Sequence, residues 1–481
     1  MGKYGFRRVP VASSFHGVNQ AVDDRFLKPG ESRDAVNFRC DGGILATAPG
    51  YEKHIAAALP AAPVTPMIFH EYRGDGTIAK RLLAATADDL YRWDPHDARW
   101  VSIRGAETIT SGDFSYANYR ESGVSKIILS NGVDPVYEWS GGESIARLYS
   151  DAGPPPLEAP RGRCVTVHAE RLWVGGVAGS PNTVFASDAY APSNWTVGDY
   201  EAGYLSVSTW DGGDIVGLAS LLGDVVVFKQ TSIFRIVGTY PDEFEPVQVM
   251  TMEGAIAPRT LCQYDNRAYF LSDDGLMAYD TIRAYEVIPN ALADFWAGVN
   301  RAALPGACGI AHNNRVYMAV PWGEGQTDNN RVIEYDIVSG SVAIRSGITV
   351  RRFLQDDEEL LFVGPGNHIY RYGSGSDLDG EAVDMVWNTP VSDFGAPGVK
   401  CIYDAILTAW SPTAGAEIQV ELLRGGEAIA ARTIALPPVR GVVRGPLRGS
   451  GRVLGFRLRN VSGSDVRVAS LEVECDQVED L

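Results

Sequence analysis

Histidine and cysteine side chains are the residues of this 481-residue chain best suited to metal or redox chemistry. The seven histidines form no HExxH-type pair, and no two of the six cysteines are close enough for a CxxC pair. A three-histidine site assembled from distant parts of the chain stays open at this point. We predict no metal site, no cofactor and no catalytic residue, and we expect the cysteines to be buried free thiols in a reducing cytosol.

Two acidic stretches carry residue types that bind calcium or cleave glycans. Residues 376–381, SDLDGE, alternate like the first ligands of a calcium loop, but the series stops before the terminal glutamate that such a loop needs. Residues 187–195, SDAYAPSNW, have the residue types of the Asp-box turn SxDxGxTW, with too long a spacing and no central glycine. We interpret the first stretch as a linker and the second as a turn between strands, and we expect no enzymatic activity.

The chain carries a formal net charge of −18, and this charge is unevenly distributed. Residues 41–380 carry −18, while the +3 of residues 1–40 offsets the −3 of residues 381–481. A protein that grips duplex DNA needs Lys and Arg side chains to displace counterions from phosphate, so the acidic balance argues against that function. An acidic wall would instead repel phosphates and let DNA pass without sticking.

The N-terminus, MGKYGFRRVP, has positive charge but lacks the apolar segment of a signal peptide behind it. The longest uncharged run, residues 55–69, contains three prolines and is too short to cross a membrane as a helix. We therefore expect a protein without a membrane span, made in the cytosol and either used there or released by lysis.

The chain contains seven copies of a two-strand pattern, at spacings of 43 to 53 residues. The first runs are RLLAA (81), KIILS (126), RLWVG (171), DVVVF (224), RAYFL (267), RVYMA (315) and ELLFV (359). The second runs are LYRW (90), VYEW (136), VFAS (184), IFRI (233), LMAY (276), VIEY (332) and IYRY (369). Turns rich in Gly, Asn and Asp separate the two runs of several copies, as hairpins require.

Three or four antiparallel strands in about 45 residues match one blade of a β-propeller. We predict an all-β fold with a six- or seven-bladed β-propeller at residues 41–380 and a C-terminal β-sandwich at residues 381–481. Residues 1–40 are expected to form an N-terminal arm, and residues 42–51, GGILATAPGY, to supply a strand that closes the ring. Residues 289–303 are expected to form a short helix.

Residues 17–53 read GVNQAVDDRFLKPGESRDAVNFRCDGGILATAPGYEK. They combine a Gly-Val-Asn start, a Pro-Gly, an Asn before an aromatic residue, and a Gly-Ile-Leu strand that ends in a second Pro-Gly. Together with residues 171–238 and the C-terminal strand VASLEVEC (468–475), they resemble the tail-hub or nozzle proteins of short-tailed bacteriophages, a group that includes packaged-DNA-stabilisation and tail-tubular proteins. The chain departs from that family at Ala48, where the residue before the second Pro-Gly is usually Arg.

The resemblance implies a structural virion protein, in which six copies form a ring at the end of the tail. The ring would continue the portal and adaptor channel, retain packaged DNA until ejection, and dock tail fibres, spikes or a needle. DNA would pass through the lumen without sequence-specific binding, along walls lined by Asp and Glu. The protein would assemble in the host cytoplasm and end in the virion tail.

Two other functions stay open. A phage-associated propeller that binds or cleaves surface glycans would need aromatic platforms and two poised carboxylates. A cellular scaffold propeller would be a monomer with an exposed peptide-binding face, although the Gly-His and Trp-Asp marks of WD repeats do not recur here. The long loops at residues 148–160 and 320–331 are expected to make subunit contacts.

Overall fold

The computed structural model describes residues 7–478 except 151–156, 199, 209–212, 252, 289–290, 376, 383, 396–397 and 461–462. The described residues include seven antiparallel units of four strands, numbered blade 1 to blade 7 in chain order. The first strands of the blades contact the first or second strands of neighbouring blades, and blade 7 packs against blade 1. The fold is therefore an all-β propeller, as the repeats predict, and it has seven blades.

The strands of the blades follow one another from the axis outward. Blade 1 consists of Thr65–Tyr72, Ile78–Ala85, Leu90–Asp94 and Arg99–Ser102, and blade 2 of Ser115–Glu121, Val124–Ser130, Tyr137–Trp139 and Ala146–Arg147. Blade 3 consists of Cys164–His168, Arg171–Gly175, Thr183–Ala186 and Gly203–Ser206, and blade 4 of Ile215–Leu221, Asp224–Lys229, Ser232–Val237 and Glu245–Thr251. Blade 5 consists of Cys262–Tyr264, Arg267–Ser272, Gly275–Tyr279 and Ala284–Glu286. Blade 6 consists of Cys308–His312, Arg315–Val320, Arg331–Asp336 and Val342–Arg345. Blade 7 consists of Arg352–Asp356, Glu359–Val363, Ile369–Tyr372 and, from the N-terminal part of the chain, Tyr51–Lys53.

Apolar and aromatic side chains fill the spaces between neighbouring blades. Phe69 and Trp139 meet edge to face at 5.0 Å between blades 1 and 2. Phe228 and Phe270 meet at 5.1 Å between blades 4 and 5. Large rings suit these wedge-shaped spaces because they bury much apolar area and pair favourably when tilted. Each blade is thus stabilised mainly by its neighbours.

The two runs of each sequence repeat are the second and third strands of one blade. RLWVG, for example, is the Arg171–Gly175 strand of blade 3, and VFAS overlaps the Thr183–Ala186 strand. The prediction for the closing strand is wrong in its position. Tyr51–Lys53 completes blade 7, whereas Ile44–Thr47 joins the C-terminal strands, because its inward side chains are buried there.

The C-terminal strands form two sheets that share one buried core. The first sheet contains, in order, Gly441–Gly451, Val399–Trp410, Arg467–Val478, Ile44–Thr47 and Phe38–Asp41, with Arg7–Ala12 also paired to Arg467–Val478. The second sheet continues from the outer strand of blade 6 through Ala35–Val36, Met385–Asn388, Gly455–Asn460, Glu417–Arg424 and Glu427–Ala435. We call these two sheets the C-terminal body.

The N-terminal residues take part in this body. Arg7 pairs with Cys475 and Ala12 with Leu471, so residues 7–12 form a strand rather than a free arm. Gly17–Val18 and Glu31–Ser32 form a small parallel pair. The C-terminal body is therefore built from both ends of the chain and not from residues 381–481 alone, because its C-terminal strands pair with strands near the N-terminus.

The remaining elements are short. The helix expected within residues 289–303 forms at Ala293–Ala297, and residues 289–290 lie outside the described residues. Four 3-10 turns occur at Asp24–Phe26, Pro241–Glu243, Pro258–Thr260 and Leu304–Gly306. In the loop expected at residues 148–160, Tyr149–Ser150 pairs with Leu157–Glu158, and residues 151–156 between them are not described. None of the described helices has the length and apolar character needed to cross a membrane.

Candidate functional site

Residues 14–53, called the clasp below, contact both the propeller and the C-terminal body. The Ala35–Val36 strand lies between Val342–Arg345 of blade 6 and Met385–Asn388 of the C-terminal body. The Tyr51–Lys53 strand completes blade 7. The Gly-Val-Asn, Pro-Gly and Asn-Phe motifs on which the family resemblance rests all lie in this segment, so their structural roles decide what the resemblance means.

Both Pro-Gly pairs of the clasp place a glycine where a side chain does not fit. A Cβ atom on Gly30 would lie 1.8 Å from the carbonyl oxygen of Ser14. A Cβ atom on Gly50 would lie 1.8 Å from the carbonyl oxygen of Asp377. The blocking atoms belong to the backbone, so they cannot move aside as a flexible side chain would. Each glycine therefore lets two distant chain segments touch.

Asn37 joins blade 6 to the first residues of the C-terminal body. Its backbone has a φ of 62°, a left-handed conformation that Asn adopts more easily than most residues. The Nδ2 atom donates to Ser346 Oγ and to the carbonyl oxygen of Asp384, both at 3.0 Å. The Oδ1 atom accepts from the backbone N–H of Ser346 at 2.9 Å. With only 1% of its surface exposed, Asn37 has both ends of its amide satisfied by the elements that it joins.

Glu334 is fully buried among two arginines and a tyrosine. Its Oε2 atom accepts from Nε of Arg39 at 2.5 Å, and its Oε1 atom accepts from the Tyr372 hydroxyl and lies 3.7 Å from Nη1 of Arg345. Arg345 also donates to the carbonyl oxygen of Pro49. Arg39 and Pro49 belong to the clasp, Glu334 and Arg345 to blade 6, and Tyr372 to blade 7, so the network links three elements.

The two guanidiniums determine the protonation state of Glu334. Burial by itself raises the pKa of this carboxyl, but the positive charges of Arg39 and Arg345 outweigh burial and hold the pKa at about 2. A carboxyl with this pKa stays ionised near neutral pH and cannot exchange protons with a substrate there. The arrangement therefore works as a fixed ionic link and not as an acid–base pair.

A second ion cluster joins residues next to blades 2, 5 and 7. Asp113 precedes blade 2, Arg259 precedes blade 5, and Arg352 is the first residue of blade 7. Asp113 Oδ1 accepts from Nε of Arg259 at 2.6 Å and lies 3.3 Å from Nη1 of Arg352. Since the three side chains come from different sides of the ring, they meet across the axis and hold the blades together.

The Asp-box-like stretch forms a turn in blade 3. Ser187 Oγ accepts from the backbone N–H of Leu172 at 2.9 Å, and Asp188 Oδ2 accepts from Nδ2 of Asn194 at 3.2 Å. Trp195 is 7% exposed and packs in the core between blades 2 and 3. Ser187 and Asp188 thus form hydrogen bonds within blade 3.

The calcium-like stretch is bound to the clasp. Asp377 Oδ1 accepts from the backbone N–H of Gly380 at 2.7 Å, and Asp379 Oδ2 lies 2.8 Å from Nζ of Lys53. The backbone N–H of Tyr51 donates to the carbonyl oxygen of Asp377 at 3.0 Å. The stretch interpreted as a linker therefore anchors the strand that closes the ring.

Within the described ranges, no three His, Cys, Asp or Glu side chains converge as metal ligands. All six cysteines are unpaired; Cys262 and Cys401 are half-buried, and the other four are buried, namely Cys40, Cys164, Cys308 and Cys475. Burial raises the pKa of the Cys40 and Cys164 thiols to about 12, so neither is a thiolate near neutral pH.

Sequence reasoning missed the two ion clusters. Glu334, in VIEY, and Arg345, in VAIR, are charged residues in otherwise apolar strands, and a buried charge needs a partner. That signal was present, but Arg39, which pairs with Glu334, lies 295 residues away along the chain. Asp113 and Arg259 lie in short loops, where charged residues are common and give no such signal.

Comparisons with known proteins give only distant similarities to solved structures. No protein-family model and no curated protein sequence matches the chain. Solved structures that are similar to it include the extracellular domain of BT4673, a putative one component system from B. thetaiotaomicron, at 10% identity and TM-score 0.43, covering 89% of this chain and 63% of that one. BamB from Moraxella catarrhalis has 10% identity and TM-score 0.39, with coverage of 77% and 94%. The Pan2 WD40 domain from Neurospora crassa has 8% identity and TM-score 0.40, with coverage of 67% and 95%.

Proposed function

We propose that the chain is a structural virion protein whose copies form the hub or nozzle ring of a short phage tail. In this proposal the ring has six copies, continues the portal and adaptor channel, and docks fibres, spikes or a needle. It retains packaged DNA until ejection. The protein acts through its assembled shape and catalyses no reaction, and it is located in the virion tail after assembly in the host cytoplasm.

The observation that carries the proposal is the position of the clasp. Residues 17–53 carry part of the resemblance to tail-hub proteins, and they include the Ala35–Val36 strand and Asn37, which join blade 6 to the C-terminal body. A channel under the pressure of packaged DNA needs subunits that do not come apart internally. Strand pairing, close backbone contacts and a buried ionic link between the two bodies meet that need, because breaking a buried pair costs several kcal/mol.

The charge of the chain supports passage of DNA and not its capture. With a net charge of −18, the protein lacks the cationic excess that counterion release from phosphate requires. The proposal therefore places Asp and Glu side chains along the ring lumen, where they repel the DNA backbone. An electrostatic map of the assembled ring tests this point, and a basic lumen would contradict it.

Loss of the gene provides the direct test of function. Phage particles made without this chain are expected to package DNA and then lose it, and to lack fibres or spikes on their tails. Complementation with the wild-type chain is expected to restore DNA-filled, tailed particles. Complete, infectious particles in the absence of the chain would show that it is not the tail hub.

A further inference from the structure

The segment 440–452 repeats a basic tetrapeptide in a chain that is otherwise acidic. It reads RGVVRGPLRGSGR, so Arg440, Arg444, Arg448 and Arg452 recur at every fourth position. Residues 424–459 contain eight arginines, no lysine and a single acidic residue, Glu427. This segment therefore has the opposite charge to the chain as a whole.

The structure explains the alternation of Arg and Gly. Side chains of a strand point to opposite faces in turn, and in Gly441–Gly451 the glycines face inward and Arg444 and Arg448 face solvent. A Cβ atom on Gly445 would lie 2.8 Å from Ile434 Cδ1, and one on Gly449 would lie 2.6 Å from Leu422 Cδ2. The glycines thus let the two sheets of the C-terminal body approach each other, while the arginines form an exposed line.

Arginines of the neighbouring sheet extend this line. The stem of Arg432 reaches to 3.0 Å from the Cβ position of Gly445, and Arg424 donates to the carbonyl oxygen of Ser450 at 3.4 Å. Arg432 and Arg448 are exposed and form no ion pair with any described residue, whereas Arg444 is paired with Asp404 and Glu474 of its own sheet. The six exposed side chains are called the arginine row below, namely Arg424, Arg432, Arg440, Arg444, Arg448 and Arg452.

A surface of opposite charge lies on the two neighbouring blades 3 and 4. Tyr200 and Tyr240 are 68% and 43% exposed, and their rings meet edge to face at 5.2 Å. Four exposed carboxylates flank them and form no ion pair within the described part of the chain. We call this the acidic tyrosine surface, which consists of Tyr200, Glu201, Tyr240, Asp242, Glu243 and Glu245.

The loops that carry the acidic tyrosine surface are fixed from below. Arg171, only 3% exposed, donates to the carbonyl oxygen of Tyr200 at 3.3 Å and to that of Glu201. Its guanidinium also lies 5.9 Å from the ring centre of Phe244. Backbone that is anchored in this way loses less entropy when the surface binds a partner.

The two surfaces belong to different parts of the fold. The acidic tyrosine surface lies on blades 3 and 4, whereas the arginine row lies on the C-terminal body, which pairs with blade 6. Gly441–Gly451 ends the first sheet of that body and Glu427–Ala435 ends the second, and these two edge strands contact each other. A contact between the row of one copy and the surface of the next joins two different surfaces and is therefore heterologous, and heterologous contacts generate rings when the rotation closes.

We propose that the arginine row of one copy docks on the acidic tyrosine surface of a second copy and forms the subunit interface of the ring. The inference rests on the proposed function, because it names the subunit interface that a ring of copies requires. Arg and Tyr are the residue types most enriched at the centres of protein interfaces. Complementary charges also speed and orient association.

Two charge-reversed chains and their mixture test the interface. R432E/R448E reverses the charge of the two row arginines that form no ion pair, and D242K/E243K reverses two of the four surface carboxylates. R73E/R163E, at exposed arginines elsewhere, is a control with the same charge change as R432E/R448E. In measurements of assembly mass, wild type and control are expected to form the same ring, and each reversed chain is expected to stay monomeric. A one-to-one mixture of the two reversed chains is expected to restore rings of even copy number, because every contact in an alternating ring is again between opposite charges.

The other outcomes overturn the proposal in distinguishable ways. Rings formed by both reversed chains alone would place the interface elsewhere and leave the proposed function intact. Failure of the mixture to assemble would show that the two surfaces do not meet. Unchanged assembly with loss of binding to a duplex oligonucleotide by R432E/R448E would make the row a phosphate-binding surface. A wild-type chain that remains monomeric would overturn both the interface and the ring.

Discussion

Single residues of the clasp decide whether the two bodies stay joined. Gly50 is the sharpest case, because its missing side chain leaves room for the backbone of Asp377. The sequence shows the second Pro-Gly as a feature of the family that the chain resembles. It does not show why a glycine is needed there, because Asp377 lies in a stretch that the sequence indicates to be a solvated linker. The contact itself required the structure.

A Gly50→Ala substitution is expected to lower the free energy of unfolding by about 3 kcal/mol, at the upper end of overpacking costs. The added methyl group would lie 1.8 Å from a backbone oxygen, so one of the two segments must move. Chemical denaturation measures the loss. Gly74→Ala is the matched control, because the Cβ position of Gly74 is open. Equal stabilities of the two variants would show that the close approach at Gly50 does not exist.

Glu334 gives the protein a defined acid sensitivity. Its pKa of about 2 in the folded state lies below the ordinary value of 4.5, so the unfolded chain binds the proton first as pH falls. The stabilisation is therefore complete above about pH 5 and is lost between about pH 4.5 and 2. Glu334→Gln is expected to be less stable than wild type at pH 7 by about 3 kcal/mol, with a difference that shrinks toward pH 2. Glu324→Gln, at an exposed carboxyl, is the control, and a difference independent of pH would contradict the ionic link.

At the scale of elements, local patterns predicted the strands whose neighbours in sequence are also their neighbours in space. The second and third strands of every blade belong to this group, because hairpins pair residues a few positions apart. Two clasp strands do not belong to this group, namely Ala35–Val36 and Tyr51–Lys53. They pair with residues more than 300 positions away along the chain, such as Ile344 and Arg371. Two- and three-residue strands carry too little alternation to be seen in a sequence.

The closing strand of blade 7 can be tested through its backbone. Glu52 pairs with Arg371 across the ladder, and Glu52→Pro removes an N–H group and distorts the strand. Hydrogen exchange of blade 7 amides is expected to become at least tenfold faster in Glu52→Pro, while exchange in blades 3 to 5 stays unchanged. Glu52→Ala removes the same side chain and keeps the N–H, so it is expected to behave like wild type. Identical exchange in both variants would show that Tyr51–Lys53 does not close the ring.

At the scale of the whole molecule, the net charge of −18 hides a basic segment within an acidic chain. The repeat pattern predicted the propeller, and summed charge predicted an acidic protein. The arginine row escaped notice because the −3 of residues 381–481 averages eight closely spaced arginines with the acidic residues around them. The sheet order shows that Arg432, Arg444 and Arg448 lie on edge strands of the C-terminal body, separate from the blades that carry the acidic tyrosine surface.

The mass and symmetry of the purified chain test the central claim most directly. Mass photometry with two-dimensional averages from negative-stain electron microscopy measures both at once. The account predicts a closed ring with six-fold symmetry and six times the 52.0 kDa mass of the chain. A single species at 52.0 kDa, with no ring even at high protein concentration and low salt, would contradict it.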